Sequence, residues 1–112
     1  MSGRLKLLTD SLVILASMPD NQLAHLRALG VPFGVDELAL EYDDIALAAG
    51  SMFCDGELNE VQRDTVLELN DILKRMSGAQ NAHLWTIRAL RTAPEWSNVR
   101  QAAVRCLQQF QE

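Results

Sequence analysis

The residues with the most evident chemistry are the carboxylates of one stretch, DELALEYDDIALAAGSMFCDGELNE, which spans residues 36–60. It holds eight aspartates and glutamates and no lysine or arginine. Clustered carboxylates can supply metal ligands, general acids and bases, or a negatively charged surface for a basic partner. The types and spacing of the surrounding residues distinguish these three possibilities.

The spacing does not indicate a metal site. An EF-hand needs oxygen ligands at alternate positions around a central glycine, and residues 43–56 place leucine, alanine and phenylalanine where those ligands belong. Neither His25 nor His83 has a carboxylate three residues before it, as a di-iron helical bundle requires. Zinc would need Cys or His pairs at short spacing, and the chain has none. We therefore expect no metal and no other cofactor.

Nucleophilic catalysis is not indicated either. The chain has no GxSxG motif, no Gly-rich phosphate loop and no cysteine with an evident histidine partner. His25 and His83 lie among apolar neighbours, which favours packing at the edge of a core. Cys54 and Cys106 could form a disulfide, but buried free thiols are the prediction. We expect a protein without catalytic residues, and not an enzyme.

Size and charge limit the class of protein. A chain of 112 residues, 48% hydrophobic, fits a single helical domain over residues 1–112. The net charge of −5 argues against direct binding to nucleic acid or to an anionic membrane. A helix-turn-helix in residues 22–38 would place an acidic helix in the DNA groove, where phosphate repels it. No apolar run approaches the roughly 18 to 20 residues of a membrane-spanning helix.

The elements that position the carboxylates are all predicted to be helices, in a compact all-α bundle of five or six with short loops. Leucines at helical spacing make the N-terminal segment a core helix rather than a signal peptide, so we expect a cytoplasmic protein. The first three predicted helices cover about residues 4–18, residues 21–29 with a cap at Asp20 and an end at Gly30, and residues 36–50 or slightly beyond. The next two cover residues 57–76, with a cap at Asn59 and a stop at Gly78, and residues 82–91. The last helix opens with a Thr92–Glu95 capping box and Pro94, and it buries Trp96, Val99, Ala103, Leu107 and Phe110.

The charge is concentrated in the middle of the chain. Residues 31–62 hold eight acidic and no basic side chains, a net charge of −8, whereas the segments on either side are slightly positive. On a helical projection, Leu38, Tyr42 and Ile45 face the core, and most of the carboxylates face outward with Leu40 and Leu47 among them. The next long helix repeats this pattern, with Leu67 inside an acidic stripe.

Two interpretations of this acidic surface are open. In the first it is a solvated acidic face with Leu40, Leu47 and Leu67 packed against another helix, and single exposed leucines need no explanation. In the second it is a docking surface, on which carboxylates steer a basic partner and leucines supply contact area. Like charges four residues apart each cost a helix about 0.2 to 0.5 kcal/mol. Glu37–Glu41, Glu60–Asp64 and Asp64–Glu68 are three such pairs, an arrangement that solubility alone does not require.

Three segments, PFGVDELALEYDD, LNDILKRMSGAQNAHLWTIRAL and RTAPEWSNVRQAA, carry a family resemblance. Together they are similar to small all-α bacterial immunity proteins of polymorphic-toxin and contact-dependent growth inhibition systems. The similarity covers about residues 8–107. The resemblance implies a cytoplasmic protein that binds a cognate toxin domain. It also implies, for a nuclease toxin, an acidic surface of the immunity protein that contacts the basic active site of the toxin.

We therefore predict an immunity protein, a monomer or homodimer, that blocks the substrate-binding site of a basic toxin domain, most simply a nuclease. The alternative is a homo-oligomeric structural or regulatory adaptor with a different protein partner. The residues predicted to bind the partner are Asp36, Glu37, Leu40, Glu41, Asp43, Asp44, Leu47, Asp55, Glu57, Glu60, Asp64, Leu67, Glu68 and Asp71.

Overall fold

The fold, taken from a computed structural model that describes residues 3–29 and 34–110, is built within those ranges from helices alone. In chain order they are α1 (Gly3–Ala16), α2 (Pro19–Ala28), α3 (Asp36–Ala46), α4 (Ala49–Cys54), α5 (Glu60–Arg75), a 3₁₀ helix (Ala79–Leu84), α6 (Ile87–Thr92) and α7 (Pro94–Gln108). This confirms the predicted all-α bundle. The larger number of helices arises because two of the predicted helices are each divided.

The core forms between the long helices. α1 packs against α7 and α3, and α5 packs against the same two helices. Leu8, Leu12 and Leu15 of α1 are buried, as the helical spacing of leucines predicts for a core helix. Trp96, Val99 and Ala103 of α7 are buried as predicted, and Leu107 and Phe110 pack against the core while partly exposed. Within the described residues, no helix is both long and apolar enough to cross a membrane.

The predicted acidic helix is divided between α3 and α4. The amide of Ala48 donates to the carbonyl of Ile45, a three-residue spacing that tightens the turn and ends α3. The chain bends here, so that Ala46 before the bend and Ala49 and Met52 after it are all buried. Buried alanines thus stand on both sides of the bend, and Gly50, a weak helix former, lies just after it.

The predicted fifth helix is also divided, because two tryptophans bind backbone carbonyls around it. The indole Nε1 of Trp85 donates to Met76 O at 2.8 Å, and that of Trp96 donates to Leu84 O at 2.7 Å. The rings meet edge to face, with centroids 5.4 Å apart. These contacts hold the 3₁₀ helix apart from α6, and α6 begins at its own cap, where Thr86 Oγ1 accepts from the amide of Ala89.

The helix caps test the predictions made from single residues. Asn59 caps α5 as predicted, and Gln62 completes a capping box, with both hydrogen bonds at 2.8 Å. The predicted Thr92–Glu95 box is wrong, because the hydroxyl of Thr92 donates instead to the carbonyl of Arg88. Pro94 does occupy the first turn of α7.

The start of α2 also differs from the prediction. Pro19 is its first residue and Met18 occupies the cap position, so the predicted cap Asp20 lies inside the first turn. The physical reason is that proline fits the first helical position, where its missing N–H would have no partner in the helix. The predicted end of this helix at Gly30 lies outside the described residues.

Both cysteines are free thiols, as predicted, but only one is buried. Cys106 lies in the core, where its Sγ is 3.4 Å from Thr65 Oγ1, and burial raises the pKa of the thiol. The prediction of a buried thiol is wrong for Cys54, which is exposed because it ends the short helix α4 at the point where the chain turns toward Gly56.

A buried amide in α2, that of Gln22, links the end of α1 to Arg100 of α7. The Nε2 of Gln22 donates to the carbonyls of Ile14 and Leu15, which end α1, at 3.2 and 3.1 Å. Its Oε1 accepts from Arg100, whose Nη1 also donates to Leu90 O in α6 at 3.0 Å. Gln22 is fully buried, so its side chain satisfies polar groups that water does not reach.

We expect Gln22→Met to lower the free energy of unfolding by about 2 to 4 kcal/mol, because it leaves buried carbonyls and a guanidinium group without their partner. Urea unfolding followed by circular dichroism measures this. The matched control is Gln101→Met on the exposed side of α7, expected to change stability by about 0.5 kcal/mol or less. Equal effects of the two variants would contradict a structural role for the buried amide.

Candidate functional site

The orientation of α3 decides which of its carboxylates face outward. Leu38, Tyr42 and Ala46 point into the core, and the Tyr42 hydroxyl donates to the carbonyl of Val66 in α5 at 2.7 Å. Tyr42 is fully buried, and burial raises its pKa above the usual value of about 10. The side chain thus acts as a neutral hydrogen-bond donor that fixes α3 against α5.

One of the two flanks beside the buried face of α3 adjoins α5. The buried amide of Asn70 donates to Asp43 Oδ1 at 2.9 Å, which joins the two helices at their exposed edge. Asp36, Leu40, Asp43 and Leu47 recur at the spacing of one helical stripe, so they share this edge of α3. α5 adds Asp64, Leu67, Glu68 and Asp71 around a shallow depression of about 620 Å³. We call these eight residues the α3–α5 face.

Three leucines on the α3–α5 face are exposed to an unusual degree for apolar side chains. Leu40, Leu47 and Leu67 expose 52%, 70% and 39% of their surface. The interpretation that they pack against another helix of this chain is therefore excluded. Lys74 and Arg75 border the same depression, so the α5 part of the face carries positive charge at its C-terminal end.

Arg4 of α1 binds two of the predicted partner-binding carboxylates. Its guanidinium donates to Asp55 Oδ2 at 2.8 Å and to Glu57, and these hydrogen bonds raise the pKa of Arg4. Arg4 also donates to Ser51 Oγ at 3.1 Å. Asp55 and Glu57 therefore tie the end of α4 to the start of α1, and their charge is already met by Arg4.

Arg63 serves a similar purpose at the start of α5. It lies 2.9 Å from Asp64 and 3.9 Å from Glu60, and its guanidinium carbon sits 4.2 Å from the centroid of the Phe53 ring. The like-charge pair that the sequence shows at Glu60 and Asp64 is thus relieved by an arginine between them. Asp71 and Arg75 stand four residues apart, a spacing that favours an ion pair, but none joins them in the described part of the chain.

The other flank of α3 faces α1. Glu41 Oε1 lies 2.8 Å from His25 Nε2 of α2, and this pair stands at one side of a groove of about 730 Å³. Leu7, Ile14 and Ile45 contribute apolar surface to the groove, and Asp44 lies at its edge. Asp43 and Asp44, adjacent in the sequence, therefore belong to opposite flanks of the helix.

The fourteen predicted residues thus have distinct environments rather than one. Asp55, Glu57, Glu60, Asp64 and Glu41 contact a basic side chain, and Asp43 accepts from an amide. Of the fourteen, the carboxylates for which the described residues supply no ion pair and no side-chain hydrogen bond are Asp36, Glu37, Asp44, Glu68 and Asp71. These five are the ones available to a basic partner.

The sequence did not predict the ion pairs of Arg4 and Arg63 or the groove between α1 and α3. Arg4 and Asp55 are 51 residues apart, and nothing local in the sequence connects them. The groove had a detectable signal, because Leu7, Ser11 and Ile14 form a second stripe on α1 beside the core leucines. Among the described residues, no three His, Cys, Asp or Glu side chains are arranged to hold a metal ion.

Comparisons with family models, with curated proteins and with solved structures find no match to this chain.

The buried hydroxyl of Tyr42 makes stability fall at high pH. Above a pH of about 10 the unfolded chain releases the tyrosine proton while the folded protein retains it, so the unfolded state binds fewer protons and gains stability. We expect a loss of up to about 1.4 kcal/mol per pH unit above this point in urea unfolding, and no such component in Tyr42→Phe.

Tyr42 is the one tyrosine of the sequence, so tyrosinate absorbance reports on it directly. The tyrosinate absorbance should appear only as the protein unfolds. Because Cys106 is also buried with a raised pKa, it adds an alkaline component from lower pH that both proteins share. Tyrosinate forming near pH 10 in a protein that is still folded would contradict the burial of this hydroxyl.

Asp43 and Asp44 offer a matched pair of substitutions. We expect Asp43→Ala to lower the free energy of unfolding by about 1 to 2 kcal/mol, because buried Asn70 loses its acceptor. Asp44→Ala should have no cost, or a gain of a few tenths of a kcal/mol, since it removes an unpaired negative charge near the C-terminus of α3. Urea unfolding of both variants measures the difference, and equal stabilities would exclude the Asp43–Asn70 contact.

Proposed function

We propose that this protein is an immunity protein that binds a basic toxin domain through the α3–α5 face and covers the surface on which the toxin binds its substrate. The observation that carries the proposal is the combination on that face of three exposed leucines with three unpaired carboxylates, Asp36, Glu68 and Asp71. Exposed apolar side chains supply contact area in an interface, and unpaired charges steer a partner of opposite sign.

The family resemblance of the sequence supports the same proposal. The segment PFGVDELALEYDD, which contributes to that resemblance, includes the part of α3 that carries Asp36 and Leu40. We propose inhibition by occlusion in the cytoplasm, in which the protein makes no chemical change to the toxin. A nuclease is the proposed target class, since a surface that binds phosphates is basic and fits unpaired carboxylates.

The α3–α5 face carries features that are unfavourable for the stability of the isolated protein, and this also supports a binding role. Asp64 and Glu68 are like charges four residues apart, and Asp71 gains no ion pair within the described residues. Leu47 exposes more than two thirds of its surface at the bend after α3. Such features do not stabilise the free protein, and a complex in which they meet basic and apolar groups explains them.

The binding test uses the toxin domain encoded beside the gene for this protein. Co-purification at low ionic strength should recover a complex, and the association rate should fall as salt rises. Asp36→Lys should slow association by about three- to tenfold. The matched control is Asp20→Lys, which also reverses an exposed aspartate in the first turn of a helix but lies on α2.

A second pair of variants tests the leucine contacts. Leu40→Ser should speed dissociation by about tenfold or more, whereas Val104→Ser, a similarly exposed position on α7, should leave it unchanged. Absence of any complex at low salt would refute the proposal. Equal effects of Asp36→Lys and Asp20→Lys would refute the α3–α5 face as the binding surface.

A homo-oligomeric adaptor is the second candidate, and the charge order along α5 favours it. The acidic residues Asp64, Glu68 and Asp71 precede the basic residues Lys74 and Arg75 on the same exposed side. Two copies of α5 packed antiparallel about a two-fold axis would bring the acidic half of each helix against the basic half of the other. A monomer in sedimentation equilibrium would refute the adaptor, because the adaptor requires a stable dimer of the protein alone. A dimer is compatible with both candidates, and the toxin-binding test then decides between them.

A further inference from the structure

The groove between α1 and α3 has an apolar floor that is open to solvent. Leu7, Ile14 and Ile45 line it, and Leu7 exposes 61% of its surface. Leu7 and Ile14 are seven residues apart on α1, a distance of about 10 Å or two helical turns. With a volume of about 730 Å³, the groove has room for several apolar side chains presented along two turns of a partner helix.

The rim of the groove is acidic. Asp10, Glu41 and Asp44 line it, and no lysine or arginine is among its lining residues in the described part of the chain. Asp10 pairs with Lys6 across one turn of α1, in an exposed ion pair of the kind that contributes little stability. Asp44 has no partner among the described residues, so its charge faces the groove uncompensated.

Charge complementarity identifies the kind of occupant. A second copy of this chain on a two-fold axis would bring two acidic rims together, which like-charge repulsion disfavours. An amphipathic helix with leucines on one face and lysines or arginines beside them satisfies both parts of the groove. The apolar residues would contact the floor, and the basic residues would reach the three rim carboxylates.

We propose that the α1–α3 groove binds a basic amphipathic helix of a partner protein, anchored by apolar side chains at i, i+3 or i+4, and i+7. His25 is positioned to hold Glu41 at the rim, since its Nε2 lies 2.8 Å from the carboxylate oxygen. This inference goes beyond the proposed function, because it concerns the opposite flank of α3 from the α3–α5 face.

The test uses three synthetic peptides of about four helical turns, each labelled for fluorescence anisotropy. The first has leucines at i, i+3, i+4 and i+7 with lysines elsewhere, the second has the same composition in scrambled order, and the third has glutamate for lysine. The first should bind at least about tenfold more tightly than either of the others and gain helical circular dichroism on binding. Equal affinity for the ordered and scrambled lysine peptides would overturn the proposal.

Variants of the folded protein locate the bound peptide. Leu7→Ser and Asp44→Lys should each weaken binding of the first peptide by about fivefold or more, since they remove floor contact and rim charge. Leu40→Ser on the α3–α5 face and Val104→Ser on α7 are matched controls and should change affinity by less than about twofold. All of these positions are exposed, so loss of folding does not confound the result.

The outcome is separable from that of the proposed function, because no toxin domain enters the experiment. Peptide binding that Leu40→Ser weakens as strongly as Leu7→Ser would overturn the groove as the site and place the peptide elsewhere on the surface. Toxin binding that fails while the groove discriminates between the three peptides would refute only the immunity function.

Discussion

The hydrogen bond from the buried hydroxyl of Tyr42 to the carbonyl of Val66 is the constraint on which the surface of this protein depends. It connects α3 to the middle of α5, and with Leu38 and Ala46 it fixes the rotation of α3 about its own axis. A helix places successive side chains about 100° apart, so a fixed inner face determines the position of every outer side chain. The two flanks of α3 therefore differ in chemistry although their residues alternate along the same eleven positions.

The strongly acidic middle of the chain is accommodated by basic groups both near and distant in the sequence. Arg4 closes on the turn after α4, Arg63 lies between two carboxylates at the start of α5, and His25 meets Glu41 across α2 and α3. The two arginines offset negative charge, and the Arg4 and His25 contacts each tie two helices or turns together. Five of the predicted carboxylates have no such partner among the described residues, and they lie on α3 and α5, whose surfaces include exposed leucines on one flank and an apolar groove on the other.

Sequence patterns predict best where the determinants are local. α5 begins at Asn59 and presents Val66, Leu69 and Leu73 inward, since capping and helical spacing act within a few residues. The bend after α3 and the 3₁₀ helix were not predictable in this way, because they accompany burial of Ala49 and indole hydrogen bonds made across the fold. For the candidate site, the sequence placed Leu40, Leu47 and Leu67 on the outer side of their helices, where they are exposed. It could not divide the acidic residues between two flanks or show which carboxylates an arginine had already bound.

The interleaving of inner and outer residues on α3 has a consequence for how such a protein can diversify. Leu38 and Tyr42 maintain the packing, whereas Asp36, Leu40 and Leu47 are exposed and contribute little to it. Surface substitutions away from packing contacts usually change stability by about 0.5 kcal/mol or less. Selection on recognition can therefore act on the outer positions while selection on folding acts on the inner ones. A lineage of these chains could exchange one partner for another by successive single substitutions, each of which passes through a folded protein.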